Sequence, residues 1–284
     1  MVRLCGDLRV GSERAGERML VLLSDQLAFD SETAARLERL YLSADVARRR
    51  RMATGALRPS SGQRLVDVGC GPGFHVAELA SLVEPGGSVV GVDTSETMLG
   101  LARQRNQQSP STEFRLGDAV AIPVADDFAD GMVAVQVYEY VPDTEAALRE
   151  AFRVLSPGGR LVVVDIDWST LSWHSADPER MDRILSVWDG HLAHPWLPRT
   201  LVGQLRTVGF SEITVEGHSF VNTDNGLDGY SGAVTDLIAD YVTSQGIDSR
   251  EVDQWSEEQD ELSRTGDYFF SLTKFVFTAI KNRT

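Results

Sequence analysis

Between residues 64 and 166, short apolar runs alternate with longer segments whose apolar residues recur at helical spacing. The runs at 64–68, 88–92, 113–116, 131–137 and 160–166 read as strands, and the segments at 74–83, 95–106 and 143–155 read as helices. Glu-Pro-Gly-Gly at 84–87 and Ser-Pro-Gly-Gly at 156–159 mark turns. Strands that are apolar throughout and separated by helices make repeated βαβ units, hence a parallel sheet buried on both faces. Right-handed crossovers then give an α/β, doubly wound sheet, with ligands beyond the strand C-termini at the switch point.

The flanks are patterned differently. Residues 17–57 read as helical throughout, and Pro59-Ser60-Ser61-Gly62 breaks the chain before the first strand. After 166 comes a Trp- and His-rich segment, 168–197, with a helix expected over 178–192. A helix over 199–208, a strand over 212–221, two helical patterns near 229–245 and 248–264, and a strand over 268–280 complete the chain. The total is a mostly parallel seven-stranded sheet. Long insertions in a compact domain are usually lids or binding elements. The expected organisation is therefore an N-terminal helical lid at 1–58 and a core at 59–284, with insertions at 168–197 and 223–267 capping the site.

Composition narrows the partners. The chain has 284 residues and a formal net charge of -15, so its surface repels phosphate backbones and nucleic acid is not expected as a partner. The basic run Arg48–Arg51 reads as a solvated helix face. Two cysteines, Cys5 and Cys70, make neither a disulfide framework nor a zinc spacing, and no metal is expected. The longest apolar run near the start, 19–23, is too short for a signal core or a membrane span. A cytoplasmic location without membrane association is expected.

The chemistry concentrates at 65–73, Leu-Val-Asp-Val-Gly-Cys-Gly-Pro-Gly. An apolar strand carrying Asp67 runs into Gly69, Gly71 and Gly73, and a helix follows. Glycines at such a turn permit positive φ and close approach of a ligand to backbone. A dinucleotide fingerprint would need its third glycine at position 74, which is Phe74. Asp93, about 20 residues beyond the loop, suits ribose hydroxyls of either cofactor, and it or Thr94 also suits a helix N-cap. Asp67 discriminates better: a carboxylate there would repel a pyrophosphate and favour an ammonium or sulfonium group. S-adenosylmethionine carries both and has no phosphate.

The run from Asp67 to Gly73 resembles the glycine-rich motif of class I S-adenosylmethionine-dependent methyltransferases. Gly91-Val-Asp93-Thr94-Ser95 with Met98 is similar to that family's ribose-binding loop, and Leu116-Gly117-Asp118-Ala119 to its adenine-binding segment. The segments around Asp130 and at 155–160 are also typical, and the resemblance spans roughly residues 40–220. It implies a Rossmann-like methyltransferase fold with helical lid insertions, S-adenosylmethionine as cofactor, and a small-molecule methyl acceptor of the quinone or natural-product kind. It further places Gln136 and Val137 beside the methionine part of the cofactor. Tyr41 and Arg50, on a helix before the first strand, would pair with the cofactor's carboxylate.

A hydroxyl acceptor needs a base, and histidine is suited to that near neutral pH. His174, His191 and His194 all fall in the insertion after the fifth strand, and Tyr138 ends the fourth. Asp167 and Trp168 are the next candidates, with Trp173, Trp188 and Trp196 as apolar walls. The identity of the acceptor stays open, as does homo-oligomer formation through exchanged lid helices. A non-methylating relative that keeps the cofactor pocket, or a nicotinamide-dependent oxidoreductase, is the alternative.

Overall fold

The computed structural model describes residues 41–226 and 230–282. Helix α1 (Ala44–Leu57) leads into β1 (Arg64–Val68), α2 (Phe74–Val83), β2 (Ser88–Asp93), α3 (Glu96–Arg105) and β3 (Thr112–Leu116). Then come β4 (Ala129–Val135), α4 (Thr144–Val154), β5 (Leu155–Trp173), α5 (Pro178–Trp188) and α6 (Pro198–Val208). Strand β6 (Phe210–Asn222), α7 (Tyr230–Ser244), α8 (Ser249–Thr265) and β7 (Phe270–Lys281) close the order. Cys5 and most of the expected N-terminal lid lie outside the described residues.

The seven strands form one sheet in the order β3-β2-β1-β4-β5-β7-β6, and only β7 runs antiparallel to its neighbours. The order reverses between β1 and β4, which places the switch point there. Alternation along the strands fills both faces. Val66, Val68, Met132, Ala134, Leu161 and Val163 pack against α4 and α6, while Leu65, Val133, Val162 and Val164 pack against α1 and α2.

A third apolar cluster lies beyond the sheet. It joins Ile166 and Trp168 of β5, Phe220 of β6, and Phe270 and Leu272 of β7 to Met181 and Ile184 of α5, Ile238 of α7 and Trp255 of α8. The long strands therefore continue past the C-terminal edge of the sheet and carry a helical cap. Helix α5 starts at Pro178, and the Asp177 carboxylate accepts a hydrogen bond from the Arg180 N–H at 3.0 Å. Asp177→Ala is expected to lower stability by about 1 kcal/mol, read as a lower urea midpoint at unchanged m-value.

Four expectations change. The helix expected over 17–57 is interrupted at Ser43 within the described residues. The turn at 156–159 falls inside β5, because Leu155 already pairs with Ala129 ahead of it. Residues 168–173, expected as the start of an insertion, continue β5 through the Ser172–Ser271 and Trp173–Phe270 pairs. The Trp173 and Phe270 rings meet edge to face at 4.9 Å. The arginine run is no solvated face: Arg51 and Arg48 are exposed, but Arg50 is buried and Arg49 half-buried.

Candidate active site

The glycine loop leaves β1 with φ of 69°, 51° and 77° at Gly69, Gly71 and Gly73. Gly69 stands against β4's exit: a Cβ there would lie 2.4 Å from Val137 Cγ2. The Gly69 and Cys70 N–H groups donate to Val92 O, and the Gly71 N–H donates to Asp93 Oδ2 at 2.8 Å. Asp93 Oδ1 accepts from the Ser95 N–H at 2.9 Å. The N-cap of α3 is Ser95, whose hydroxyl oxygen accepts from the Met98 N–H. The Thr94 N–H donates to Asp93 as well, so this carboxylate ties the end of β2 to the loop and keeps about one acceptor position for a further donor.

Asp67 sits behind the loop, 3% exposed, with Oδ2 lacking a hydrogen-bond partner. Burial, with Asp93 and Glu78 nearby, pushes its pKa up to about 8. His75 Nδ1 stands 3.9 Å from that oxygen, and burial takes its pKa down to about 3, so the two face each other as neutral groups rather than as an ion pair. His75 Nε2 is 3.0 Å from Thr54 Oγ1.

Tyr41 lies across the loop. Its ring stacks on Phe74 at 5.6 Å, and its hydroxyl is 3.0 Å from where a Cβ on Gly71 would stand. Arg50 serves this arrangement, donating to Tyr41 O at 2.6 Å and to Glu78 Oε1 at 2.8 Å. Its guanidinium is thus engaged with Glu78 and the Tyr41 carbonyl, and lies 5.4 Å from the Phe74 ring centroid. Arg49 lies on the side of Tyr230 and Glu139. Its Nε is buried without a hydrogen-bond partner among the described residues, and Tyr41, Tyr230 and Glu139 act on its charge.

Thr94 is exposed and Met98 buried at the start of α3. The Gly117 N–H donates to Asp93 O at 3.0 Å, which brings 117–119 beside the end of β2. Ala119 is buried, and Asp118 is exposed with Oδ1 accepting from the Val120 N–H.

Past β4, Gln136 takes φ 54°, a left-handed conformation uncommon for a residue with a side chain. Its N–H donates to Val164 O at 2.7 Å. Tyr138 turns away from the loop into the sheet core, with Asp165 nearby and its hydroxyl unpartnered. Glu139, which the sequence reading passed over, is fully buried. Gln136 Nε2 donates to its Oε1 at 3.3 Å and Trp168 Nε1 to its Oε2 at 3.2 Å. Burial raises its pKa to about 7 against those hydrogen bonds and Arg49. Asp165 and Lys274 are buried nearby; no side chain donates to the Asp165 carboxyl, and Lys274 Nζ has no hydrogen-bond partner among the described residues. Lys274 Nζ, whose pKa burial lowers well below the ordinary value, lies over the Tyr230 ring at 3.8 Å and the Phe220 ring at 4.2 Å. A lone Glu in Tyr-Glu-Tyr and a lone Lys inside an aromatic strand were the signals available in the sequence.

The structure separates the three candidate histidines. His174 is exposed, its N–H held by Phe269 O. His194 Nε2 faces Pro142 O at 3.0 Å, and its N–H donates to Glu139 O. His191 is buried, stacked on Trp188 at 3.6 Å and edge-on to Trp168 and Tyr241. Its Nδ1 meets Trp188 O, and burial lowers its pKa to about 4, which leaves Nε2 as a buried lone pair. Asp167 pairs with Arg199 at 2.7 Å; burial opposes its ionisation, but Arg199 and Ser169 outweigh burial and hold the carboxyl low.

These groups fit a nucleoside that carries a cation. Glycine backbone is exposed at Gly69 and half-buried at Gly71, a buried oxygen of Asp67 lacks a partner, and acids stand at the ends of β2 and β3. Among the described residues no helix is long and apolar enough to cross a membrane, and no group of three His, Cys, Asp or Glu residues could hold a metal ion.

A methyltransferase-domain family model matches residues 59–206, more than half of the chain. The 2-phytyl-1,4-naphtoquinone methyltransferase of Thermosynechococcus vestitus is 38% identical over 116 residues, 41% of this chain and 52% of that protein. Methyltransferase GfsG of Streptomyces halstedii is 39% identical over 110 residues, 38% of this chain and 39% of that protein. The matched stretch covers about half or less of each relative's length. Among solved structures, phosphoethanolamine N-methyltransferase 2 of Haemonchus contortus, in complex with S-adenosyl-L-methionine, has a TM-score of 0.59 at 18% identity. That likeness covers 91% of this chain and 59% of that one. The [4+2]-cyclase SpnF has a TM-score of 0.53 at 20% identity, over 84% of this chain and 82% of that one. At these identities the likeness is one of fold. The matched family model, the seven-stranded sheet and the glycine loop at its switch point agree: this chain belongs to the class I S-adenosylmethionine-dependent methyltransferases.

Proposed function

We propose that this chain transfers a methyl group from S-adenosylmethionine to a small aromatic or apolar acceptor enclosed beneath the helical cap. The observation that carries this reading is a cluster of aromatic side chains from the end of β4, the outer part of β5 and the cap, joined to the glycine loop through Glu139, Gln136 and Val137. Tyr140, Trp168, Trp188, His191 and Tyr241 form it. Such a wall suits a flat or greasy acceptor.

In this reading the backbone of Gly69, Gly71 and Gly73 lies under the cofactor, and Asp67 answers its ammonium. Asp93 takes the ribose hydroxyls, while Asp118 and Ala119 border the adenine. Gln136 and Val137 flank the methionine part, Tyr41 closes over it, and Arg49 rather than Arg50 meets its carboxylate. Residues 1–58 act as a lid on the core at 59–284, together with the cap helices. Bound, S-adenosylmethionine supplies an electrophilic methyl group whose leaving thioether needs no protonation. The chain's own work is then mostly alignment and exclusion of water. His191 Nε2, an unprotonated acceptor in the aromatic wall, is placed to orient an acceptor's hydroxyl.

Calorimetric titration tests this. S-adenosylhomocysteine should bind and NADH should not; NADH binding alone would overturn the reading. Asp93→Ala should weaken S-adenosylhomocysteine at least tenfold, because it removes the ribose contacts and leaves the Gly71 and Ser95 N–H groups unpaired.

A further inference from the structure

We propose that Glu139 is the proton acceptor for the methyl acceptor, which therefore presents an O–H or N–H to it. This rests on the methyltransferase reading above. Glu139 follows Val137, which packs on Gly69, by two residues, so it stands where the glycine loop meets the aromatic wall. Trp168, one of the wall's residues, donates to one of its oxygens and Gln136 to the other. The Ile166 N–H donates to Glu139 as well, so of a carboxylate's roughly four acceptor positions one remains for a further donor.

The surroundings keep a single negative charge on this group. Arg49 of α1 lies on one side, Tyr230 of α7 and Lys274 of β7 stand nearby, and Tyr140 follows it in the chain. Behind it Asp165 of β5 is buried with no side-chain hydrogen bond to either oxygen. Two carboxylates this close cannot both ionise in the interior. Glu139 has two side-chain donors besides the Ile166 N–H, whereas only backbone N–H groups reach Asp165 and the Glu139 charge raises its pKa further, so Asp165 keeps the proton and Glu139 is free to take one. In the step itself the acceptor's O–H or N–H bond breaks, its electron pair stays on the heteroatom, and the proton passes to a Glu139 oxygen. It returns to solvent on product release. His191, with its pKa near 4, holds a proton poorly at neutral pH, whereas Glu139, near 7, is matched to the task.

The test titrates 2-naphthol, and 2-methoxynaphthalene as its non-donating counterpart, into protein already saturated with S-adenosylhomocysteine. The titrations are run at pH 7 in buffers of different ionisation enthalpy. A donor bound to ionised Glu139 lowers its pKa, so 2-naphthol should release up to about half a proton and 2-methoxynaphthalene none. In Glu139→Gln, likewise saturated with S-adenosylhomocysteine, the release should vanish. Equal release from both probes, none from either, or undiminished release in Glu139→Gln overturns the assignment. The comparison of probes on wild-type protein decides even where the variant does not fold. Cofactor binding without binding of either naphthalene overturns the assignment and leaves the cofactor reading standing. Failure to bind S-adenosylhomocysteine overturns both.

Discussion

Gly73→Ala is expected to cost about 2–5 kcal/mol of stability, whereas Gly100→Ala, 27 positions on, is expected to add about 0.5–1 kcal/mol. Gly73 is the N-cap of α2 at φ 77°, where a side chain costs about 1–2 kcal/mol. A Cβ there would lie 2.8 Å from Ala102 Cβ and 3.0 Å from Ala102 Cα, on the backbone of α3, which cannot swing aside like a side-chain tip. Overpacking of this kind costs about 1–3 kcal/mol more. The same movement strains the bond from Asn106 Nδ2 to Gly73 O, so α2 and α3 separate and the loop between β1 and α2 loses its shape. Gly100 sits inside α3 with nothing within 4 Å of an added Cβ, so only the helix propensity changes. Urea unfolding of both variants reads the contrast. Equal effects would mean that the glycine loop tolerates an ordinary backbone conformation.

The sheet was legible because its strands are apolar on both faces. Residues 64–68, 88–92 and 131–135 have no polar alternation to confuse with a surface strand, and the turns between elements carry Pro and Gly. The β5 extension was not legible. Asp167-Trp168-Ser169-Thr170 breaks the apolar run, and β-structure resumes only because β7 supplies a partner from a hundred residues away. Pairing at that separation leaves no local signal. The cofactor side of the site was readable for a related reason: backbone geometry at 69–73 demands glycine, and glycine spacing survives in a string of letters. The acceptor side depends on which arginine of four turns inward and on whether a carboxyl is buried. Arg49 and Arg50 differ by one position, about 100° of helix, and only the packing of α1 on β4, β5 and β7 decides between them. Histidines drew attention as bases on chemical grounds, yet desolvation disarms the only deeply buried one of the three and elevates a glutamate instead.

Asp67→Asn should weaken S-adenosylhomocysteine by about 10- to 150-fold, the worth of one charge-assisted hydrogen bond of about 1.5–3 kcal/mol. Its pH dependence is the sharper result. In the ligand-free protein the Asp67 pKa is about 8, so below pH 8 the buried carboxyl is protonated and must lose that proton to meet an ammonium. The wild-type association constant should therefore rise about tenfold per pH unit from about pH 6.5 to 8 and flatten above, while that of Asp67→Asn stays level. Stability moves the other way. The unfolded chain releases this proton near pH 3.8 and the folded chain near 8, so the folded state binds more protons across that window and loses stability as pH rises through it. His75 opposes the trend at lower pH, since its pKa falls from 6.5 to about 3 on folding and stability there rises with pH. Glu139 adds to the Asp67 trend up to about pH 7, so the difference between wild type and Asp67→Asn is the quantity to read. That difference should grow in favour of the variant from pH 4 to 8 and stay constant above. A flat difference would place the Asp67 carboxyl in its ordinary range and remove the reason for linking it to a cationic ligand.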